Sequence, residues 1–446
     1  MTHTNIAIVG GGAVGTALAY SLARYSDIPQ ITLIEKEPWW GMVTSSPWSN
    51  AQTCHRGRIE SNYGEHKTEW LKMAGGWIEG YVERHGGGLA KMTRQTLLAV
   101  GDEVPTLRAR YAWEHKLFPD VELYERDAIA SIEPAVMEGR DPDQQVLAIS
   151  SPNGYTVDYG KLAASFIEEA DGRLETILKK EVTAIERAGD GYAIRMGDET
   201  ITADYLVVAA GTHSLPFAHS LGIATNLIEL PVAGGFFYTP RLLNGKVYTM
   251  QIEGLPFAAV HGDPDIARPD RDRYGPTAIA LPILDRKIDT PAEYWASVNE
   301  FLHMIATPDK DFIGSMRTAM GILFQEPVRS FMAKNLLYLG PGKRRAFLPS
   351  IRKVVPTMRL KDVEVAKDDF GDMVGGIRPQ VVDRHTKEML MGDVTISAPN
   401  ALFKVTPSPG ATACLENARN DAPQIADALG YTFDMDAWTA AHAPSR

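Results

Sequence analysis

A short apolar run, Ile6-Ala-Ile-Val9, leads directly into Gly10-Gly-Gly12-Ala-Val-Gly15, and a second run from Ile31 ends on Glu35. Few folds accommodate that order. The spacing predicts a buried strand over 6–9, a tight turn, a helix over 16–24 and a second strand over 31–35, which is the opening of a βαβ unit. Gly10 permits the turn, Gly12 lets backbone N–H groups approach a pyrophosphate, and Gly15 lets the helix pack closely. Glu35 is placed for a ribose hydroxyl, and Ala13, Val14 and Lys36 complete the expected dinucleotide contacts. The competing reading is a turn that only packs a helix.

With 446 residues, of which 44% are hydrophobic, the chain is long enough for two intertwined domains with sizeable cores. A net charge of −11 argues against nucleic acid as a partner and against strong electrostatic docking on anionic lipid, so membrane contact is expected to be apolar. Cys54 and Cys414 are too few for a disulfide framework or a thiolate metal site, which points to a reducing compartment and to no metal. No signal peptide precedes the first strand, and no apolar run approaches the ~20 residues of a spanning helix. The expected location is cytoplasmic, or peripheral at the inner face of the cell membrane.

The continuation of the nucleotide domain arrives late, unlike the uninterrupted doubly wound sheet of a typical NAD domain. A helix over 161–169 leads into Glu181-Val182-Thr-Ala-Ile185, a hairpin through Gly189-Asp-Gly191, and a strand over 203–208 that ends in Ala209-Ala210-Gly211. Two-domain flavoproteins carry such a small-residue strand end where the sheet closes on the cofactor; an ordinary buried strand is the alternative. Near the C-terminus, Thr406-Pro-Ser-Pro-Gly410-Ala411-Thr412-Ala precedes a helix reaching about Leu429. Its N–H groups at Gly410, Ala411 and Thr412 are placed to stabilise charge on a reduced flavin, with a plain capped helix as the equal alternative.

Between these parts, Trp70, Met73, Ala74, Trp77 and Tyr81 fall on one helical face expected in the core. Segments 232–239, 246–252 and 277–281 read as strands of a mixed or antiparallel sheet. Phe312, Met316, Met320, Leu323 and Phe324, followed by Val328, Phe331 and Met332, form a stripe that serves either as core or as an apolar contact for a membrane. The expected architecture is α/β, a Rossmann-like FAD domain built from 1–85, 150–225 and 340–446, with an α+β substrate domain on a mixed sheet over 86–149 and 226–339.

Several stretches resemble the FAD-dependent malate:quinone oxidoreductases, particularly their short bacterial branch. Besides the glycine fingerprint these are Ser49-Asn-Ala-Gln-Thr53-Cys-His55-Arg-Gly-Arg-Ile-Glu60-Ser-Asn-Tyr63, Val136-Met-Glu-Gly-Arg-Asp-Pro142 and Leu243-Asn-Gly-Lys-Val-Tyr248. Leu255 to Asp265, Tyr274-Gly-Pro-Thr277, Gly375-Gly376-Ile-Arg378-Pro-Gln380 and Thr406 to Thr412 also match. The resemblance implies a fold like that of D-amino-acid oxidase and glycine oxidase, malate oxidation and quinone reduction. It places His55 beside the flavin and brings Thr53 and Gly376 into the cofactor site. Related 2-hydroxyglutarate oxidases look similar around His55, His261 and Arg378. Met42 to Trp48 departs from the Asn-rich run of longer family members.

Oxidising a secondary alcohol needs hydride departure from C2 while a base takes the hydroxyl proton, and imidazole suits that base near neutral pH. His261 and His55 are the candidates, His261 with Asp263 or a backbone carbonyl to orient its second nitrogen. A dicarboxylate needs anion clamps, for which the planar guanidinium of Arg378, held extended by Pro379, is the first choice. Gln380, Tyr274 and Tyr63 supply further polar contacts, and Lys343-Arg-Arg345 reads as a solvated basic run. Three rivals to malate oxidation with quinone reduction stay open on the residues alone. They are an enzyme acting on another 2-hydroxy acid such as 2-hydroxyglutarate or lactate, a flavin-dependent amine oxidase, and a non-catalytic nucleotide-binding protein.

Overall fold

The computed structural model describes residues 2–86, 88–251, 259–285, 290–306, 314, 321, 329–330, 333, 335, 337–338, 340–390, 392–407 and 409–444. Thr2–Val9 lies at the centre of the first sheet, parallel to Ile31–Glu35 on one side and to Glu199–Val208 on the other. Leu174–Leu178 extends the sheet beyond Ile31–Glu35, and Ala401–Val405 with Val394–Ala398 extends it beyond Glu199–Val208. All-parallel central strands bury both faces, which is why they read as continuous apolar runs. Helices Ala13–Tyr25, Tyr159–Glu168 and Cys414–Ala428 cover one face in a single hydrophobic cluster. The antiparallel strands Ala184–Ala188 and Gly191–Met196 contribute to the cluster on the other.

A second sheet runs in the order Glu364–Val365, Phe237–Pro240, Arg271–Gly275, His261–Pro264, Lys246–Thr249, Gln95–Val100, Val146–Ser151, Glu122–Tyr124. A third, smaller sheet pairs Leu227–Ala233 antiparallel with Ile377–Asp383, flanked by Ile279–Ala280 and Glu388–Met389. The domain boundaries drawn from the sequence need adjustment here. Residues 343–365 fall within the stretch expected in the nucleotide domain, yet Glu364–Val365 pairs with Phe237–Tyr238, and the apolar face of helix Lys343–Val354 packs against Val247 and Tyr274. The chain therefore stays with the second sheet well past residue 340.

Helix Glu65–His85 forms where periodicity places one, but its buried stripe is different. Leu71, Ala74, Ile78, Tyr81 and Val82 are buried, whereas Met73 is 41% exposed and Trp70 and Trp77 are half-buried. The rotation follows from Gly75 and Gly80. A Cβ at Gly75 would lie 2.6 Å from the His55 carbonyl oxygen and one at Gly80 2.1 Å from that of His442, so these glycines bring the helix backbone into contact with its neighbours. The apolar stripe from Phe312 to Met332 lies outside the described residues, as do 252–258 of the segment leading to His261. Among the described residues, no helix is long and apolar enough to cross a membrane.

Candidate active site

Gly10 has φ 110°, and a Cβ there would sit 2.4 Å from the Ala209 carbonyl oxygen. At Gly15 the same atom would lie 2.0 Å from the Gly10 oxygen. The two glycines thus draw the start of helix Ala13–Tyr25 against the C-terminal ends of Thr2–Val9 and Glu199–Val208, with Gly12 as its N-cap. First-turn N–H groups have no partner within a helix, and Ser45, from the 42–48 run, takes that of Ala13 at 2.9 Å. The Val14 side chain packs with the helix-side cluster. Glu35 accepts N–H bonds from Gly11 at 2.6 Å and Glu37 at 2.8 Å, while burial pushes its pKa up. These two bonds fix the carboxylate and leave lone pairs for a hydroxyl. Lys36 turns toward Asp285, 3.4 Å away, and Val182 packs with Val9 and Ile34. The Ala210 N–H donates to Ser214 Oγ at 2.9 Å, and Gly211 takes φ 61° to start a short helical turn.

From this cradle the chain passes through 47–55, a segment gripped from every side. The Pro47 carbonyl accepts from Arg273 at 2.9 Å and from the Gln52 amide at 3.0 Å, and the Ala51 carbonyl accepts from Lys246 at 3.1 Å. Gly375 donates to the Trp48 carbonyl, and Gly376 lies so close that a Cβ would be 2.4 Å from the Ser49 oxygen. At the far end the Thr412 hydroxyl accepts the His55 N–H at 3.2 Å, donates to the Thr53 carbonyl and lies 2.7 Å from the Tyr159 hydroxyl. His55 Nδ1 meets Glu60 at 2.5 Å. Burial opposes ionisation of Glu60, but the hydrogen bond and charge of His55 outweigh it and hold the carboxyl below its ordinary range.

Above the segment lies one face of the second sheet. Register pairs Tyr248 with His261 and Asp263 with Arg273, so these side chains and Lys246 project together. His261 is 2% exposed, stacks on Tyr248 with centroids 4.3 Å apart, and places Nδ1 2.6 Å from Asp263 Oδ1. The other Asp263 oxygen accepts from Lys246 at 2.8 Å, and the Tyr248 hydroxyl meets Thr53 at 2.7 Å. Burial pulls the His261 pKa down to about 4, Asp263 notwithstanding. For Asp263 burial acts upward, but Lys246 and His261 prevail and hold it well below the carboxylate range. A neutral imidazole beside an ionised carboxylate donates from Nδ1, which leaves Nε2 as the acceptor.

Arg378 is half-buried on Ile377–Asp383, opposite Val232, and among the described residues its guanidinium has no hydrogen-bond or ion-pair partner. Burial lowers its pKa, and Tyr248 and Tyr63 are near enough to act on it electrostatically. Tyr63 in turn is pushed up to about 12, by burial first and then by Glu60. Tyr248 thus links His261, on which it stacks, to the neighbourhood of Arg378 and Tyr63.

Other expected contacts do not join this group. Tyr274 pairs with Gly262, on the opposite face from His261, and sits in the apolar cluster with Leu243 and Phe347. Strand alternation excludes it from the His261 face. Gln380 donates its amide to the Leu390 carbonyl at 2.7 Å, a bond between strands rather than to a substrate. The Gly410 N–H is bonded to Pro407 and that of Thr412 to Pro409, and the helix begins only at Cys414. Those two N–H groups are taken up in a local turn that the flanking prolines favour, so Thr412 acts here through its side chain. Lys246, Tyr248 and Glu60 lie in stretches that carry the resemblance, but the sequence alone assigns them no role. The first two stand two apart, at the spacing that puts strand side chains on one face.

A family model described as FAD dependent oxidoreductase matches residues 5–389. Over 449 residues the chain is 34% identical to "Malate:quinone oxidoreductase" of Helicobacter pylori strain J99, covering 96% of this chain and 95% of that protein. Against "Probable malate:quinone oxidoreductase" of Campylobacter jejuni the figures are 33%, 98% and 98%. Among solved structures, L-alpha-glycerophosphate oxidase from Mycoplasma pneumoniae with FAD bound superposes with TM-score 0.64 at 16% identity, over 97% of both chains. Glycine oxidase from Geobacillus kaustophilus does so with 0.63 at 17%, over 95% of each. The glycine cradle, with room for backbone alone, and the fixed carboxylate of Glu35 fit the adenosine diphosphate half of FAD. Fold and site thus define an FAD-dependent oxidoreductase. Within that class the chain belongs to the malate:quinone oxidoreductase family.

Proposed function

We propose that the protein oxidises (S)-malate to oxaloacetate and passes the electrons through FAD to a membrane quinone, attached peripherally at the inner face of the cell membrane. The observation that carries this reading is the chain Lys246–Asp263–His261 stacked on Tyr248, which lies within electrostatic reach of Arg378, a guanidinium without a partner among the described residues. Gly10 to Gly15, Ser45 and Glu35 hold the cofactor, with Thr53, Val182, Ala210, Gly211, Gly376 and Thr412 around it. Bound FAD supplies the acceptor for the hydride that leaves C2. Arg378 grips one carboxylate through two parallel hydrogen bonds. His261 Nε2 takes the hydroxyl proton as the C2–H bond breaks; Asp263 keeps the tautomer and stabilises the imidazolium, and Lys246 keeps Asp263 ionised. His55, oriented by Glu60, and the Tyr63 hydroxyl donate hydrogen bonds at the opposite side.

The test is a substrate panel with a dye acceptor. Malate is expected to be oxidised with the highest kcat/KM; 2-hydroxyglutarate, lactate and amino acids are expected to lag. Preference for any of these would overturn the substrate assignment. Gly15→Ala, which places a methyl group against the Gly10 oxygen, should yield protein of native-like circular dichroism that releases no FAD on denaturation. Retention of stoichiometric FAD would mean that the cradle does not hold the cofactor.

A further inference from the structure

Phe370 is 85% exposed and Met373 52%, both at the end of one short hairpin. Isolated apolar residues at a surface are ordinary, but this tip is rigidly built. Lys367 bridges Met373, the Asp368 N–H donates to the Asp372 carbonyl, and Asp368 Oδ1 accepts the N–H groups of Phe370 and Asp372 at 2.9 Å each. The order that holds Phe370 outward is thus independent of any contact made by its ring.

Cations lie close to the tip. Lys343 Nζ lies 3.6 Å from Met373 Sδ, and Arg344, anchored to the Val363 carbonyl, and Arg345 follow on the same helix with exposed side chains. Of the nearby acids, Asp369 is neutralised by Arg268 at 2.7 Å and Glu364 faces Arg271, which leaves Asp368, whose carboxylate caps the turn, and Asp372 against Lys343, Arg344, Arg345 and Lys367. Net charge over the whole chain is −11, but screening over about 8–10 Å at physiological salt makes this local balance the one that a flat charged surface meets. The hairpin also runs directly into Gly375, Gly376 and Arg378, so its tip stands a few residues from the substrate clamp.

We propose that Phe370 and Met373, with Lys343, Arg344 and Lys367 close by and Arg345 next on the same helix, form the surface that docks on a bilayer of anionic phospholipid. The proposal rests on the quinone-reductase reading, because an acceptor dissolved in lipid requires the site to face lipid. Apolar prongs with cations close by are the combination that binds such an interface.

Vesicles of phosphatidylglycerol and phosphatidylcholine, compared with phosphatidylcholine alone, provide the probe. Wild-type holoenzyme should co-sediment with the anionic vesicles and be released by high salt. The Phe370→Ser/Met373→Ser variant should bind at least about tenfold more weakly, as expected for withdrawing two apolar side chains from lipid. Arg345→Glu with Lys367→Glu should lose binding to anionic vesicles only. Dye-linked malate oxidation should be unchanged in both variants, while turnover of a long-tailed quinone in the vesicles falls with binding. Undiminished vesicle binding by the serine variant overturns the proposal, and so does a wild-type dimer that the serine variant dissolves. Vesicle binding through Phe370 without quinone reduction in vesicles or detergent leaves the docking surface standing and removes the acceptor assignment.

Discussion

His261→Ala is expected to slow reduction of the bound flavin by malate roughly 10²–10⁴-fold, the range that general-base catalysis supplies, while FAD stays bound. Stopped-flow absorbance of the anaerobic holoenzyme measures this. The His261 side chain touches the sheet and Asp263, not the glycine cradle, so loss of the imidazole leaves the nucleotide contacts intact. A His55→Ala variant should lose less in rate but also loosen the cofactor, because the imidazole oriented by Glu60 is lost while the backbone bond to Thr412 remains. An unchanged reduction rate in the His261 variant would remove this residue from the mechanism. The pH profile carries a second signature. With the His261 pKa drawn down to about 4, the base is neutral at all higher pH, and kcat/KM should hold steady from neutrality down to about pH 5 before falling. An acid limb centred near 6.5 would mean that an ordinary, solvated histidine is the base. Stability has the same sign: folding disfavours protonation of this imidazole, so its contribution is complete above about 6.5 and is lost as pH falls toward 4.

Arg378→Lys should raise the KM for malate about 10–100-fold with a smaller loss in kcat, the scale of charged hydrogen bonds that an ammonium cannot reproduce in parallel. Steady-state kinetics with the dye acceptor separates the two parameters. The conservative variant keeps the charge, so a purely electrostatic role would survive it. Wild-type kcat/KM in the lysine variant would show that the carboxylate is gripped elsewhere.

The nucleotide half of the site is legible in the sequence because its requirements are local: a glycine at φ 110°, another whose Cβ would strike Gly10, and a carboxylate at the end of the next strand. The substrate half depends on register between distant strands. His261 and Asp263 stand two apart and were foreseeable as a pair, but nothing in Lys246-Val-Tyr248 reveals that this strand lies beside them. Tyr274 failed for the same reason, since pairing with Gly262 rather than His261 sends its ring into the core. Near residue 410 the glycine and prolines signalled a helix start, and the prolines closed a turn first. A net charge summed over the whole chain says nothing about the local cluster of cations near Phe370.

The bond from His55 to Thr412 joins positions 357 residues apart. During synthesis the glycine fingerprint emerges well before Thr412 and the strand Ala401–Val405. Contacts of such long range are slow to form and contribute nothing until both ends are present. A nascent or truncated chain lacking the last 50 residues therefore presents an open sheet edge beside Glu199–Val208 and an unbraced His55. Its cofactor site is expected to be incomplete despite an intact fingerprint, and such a chain should not retain FAD.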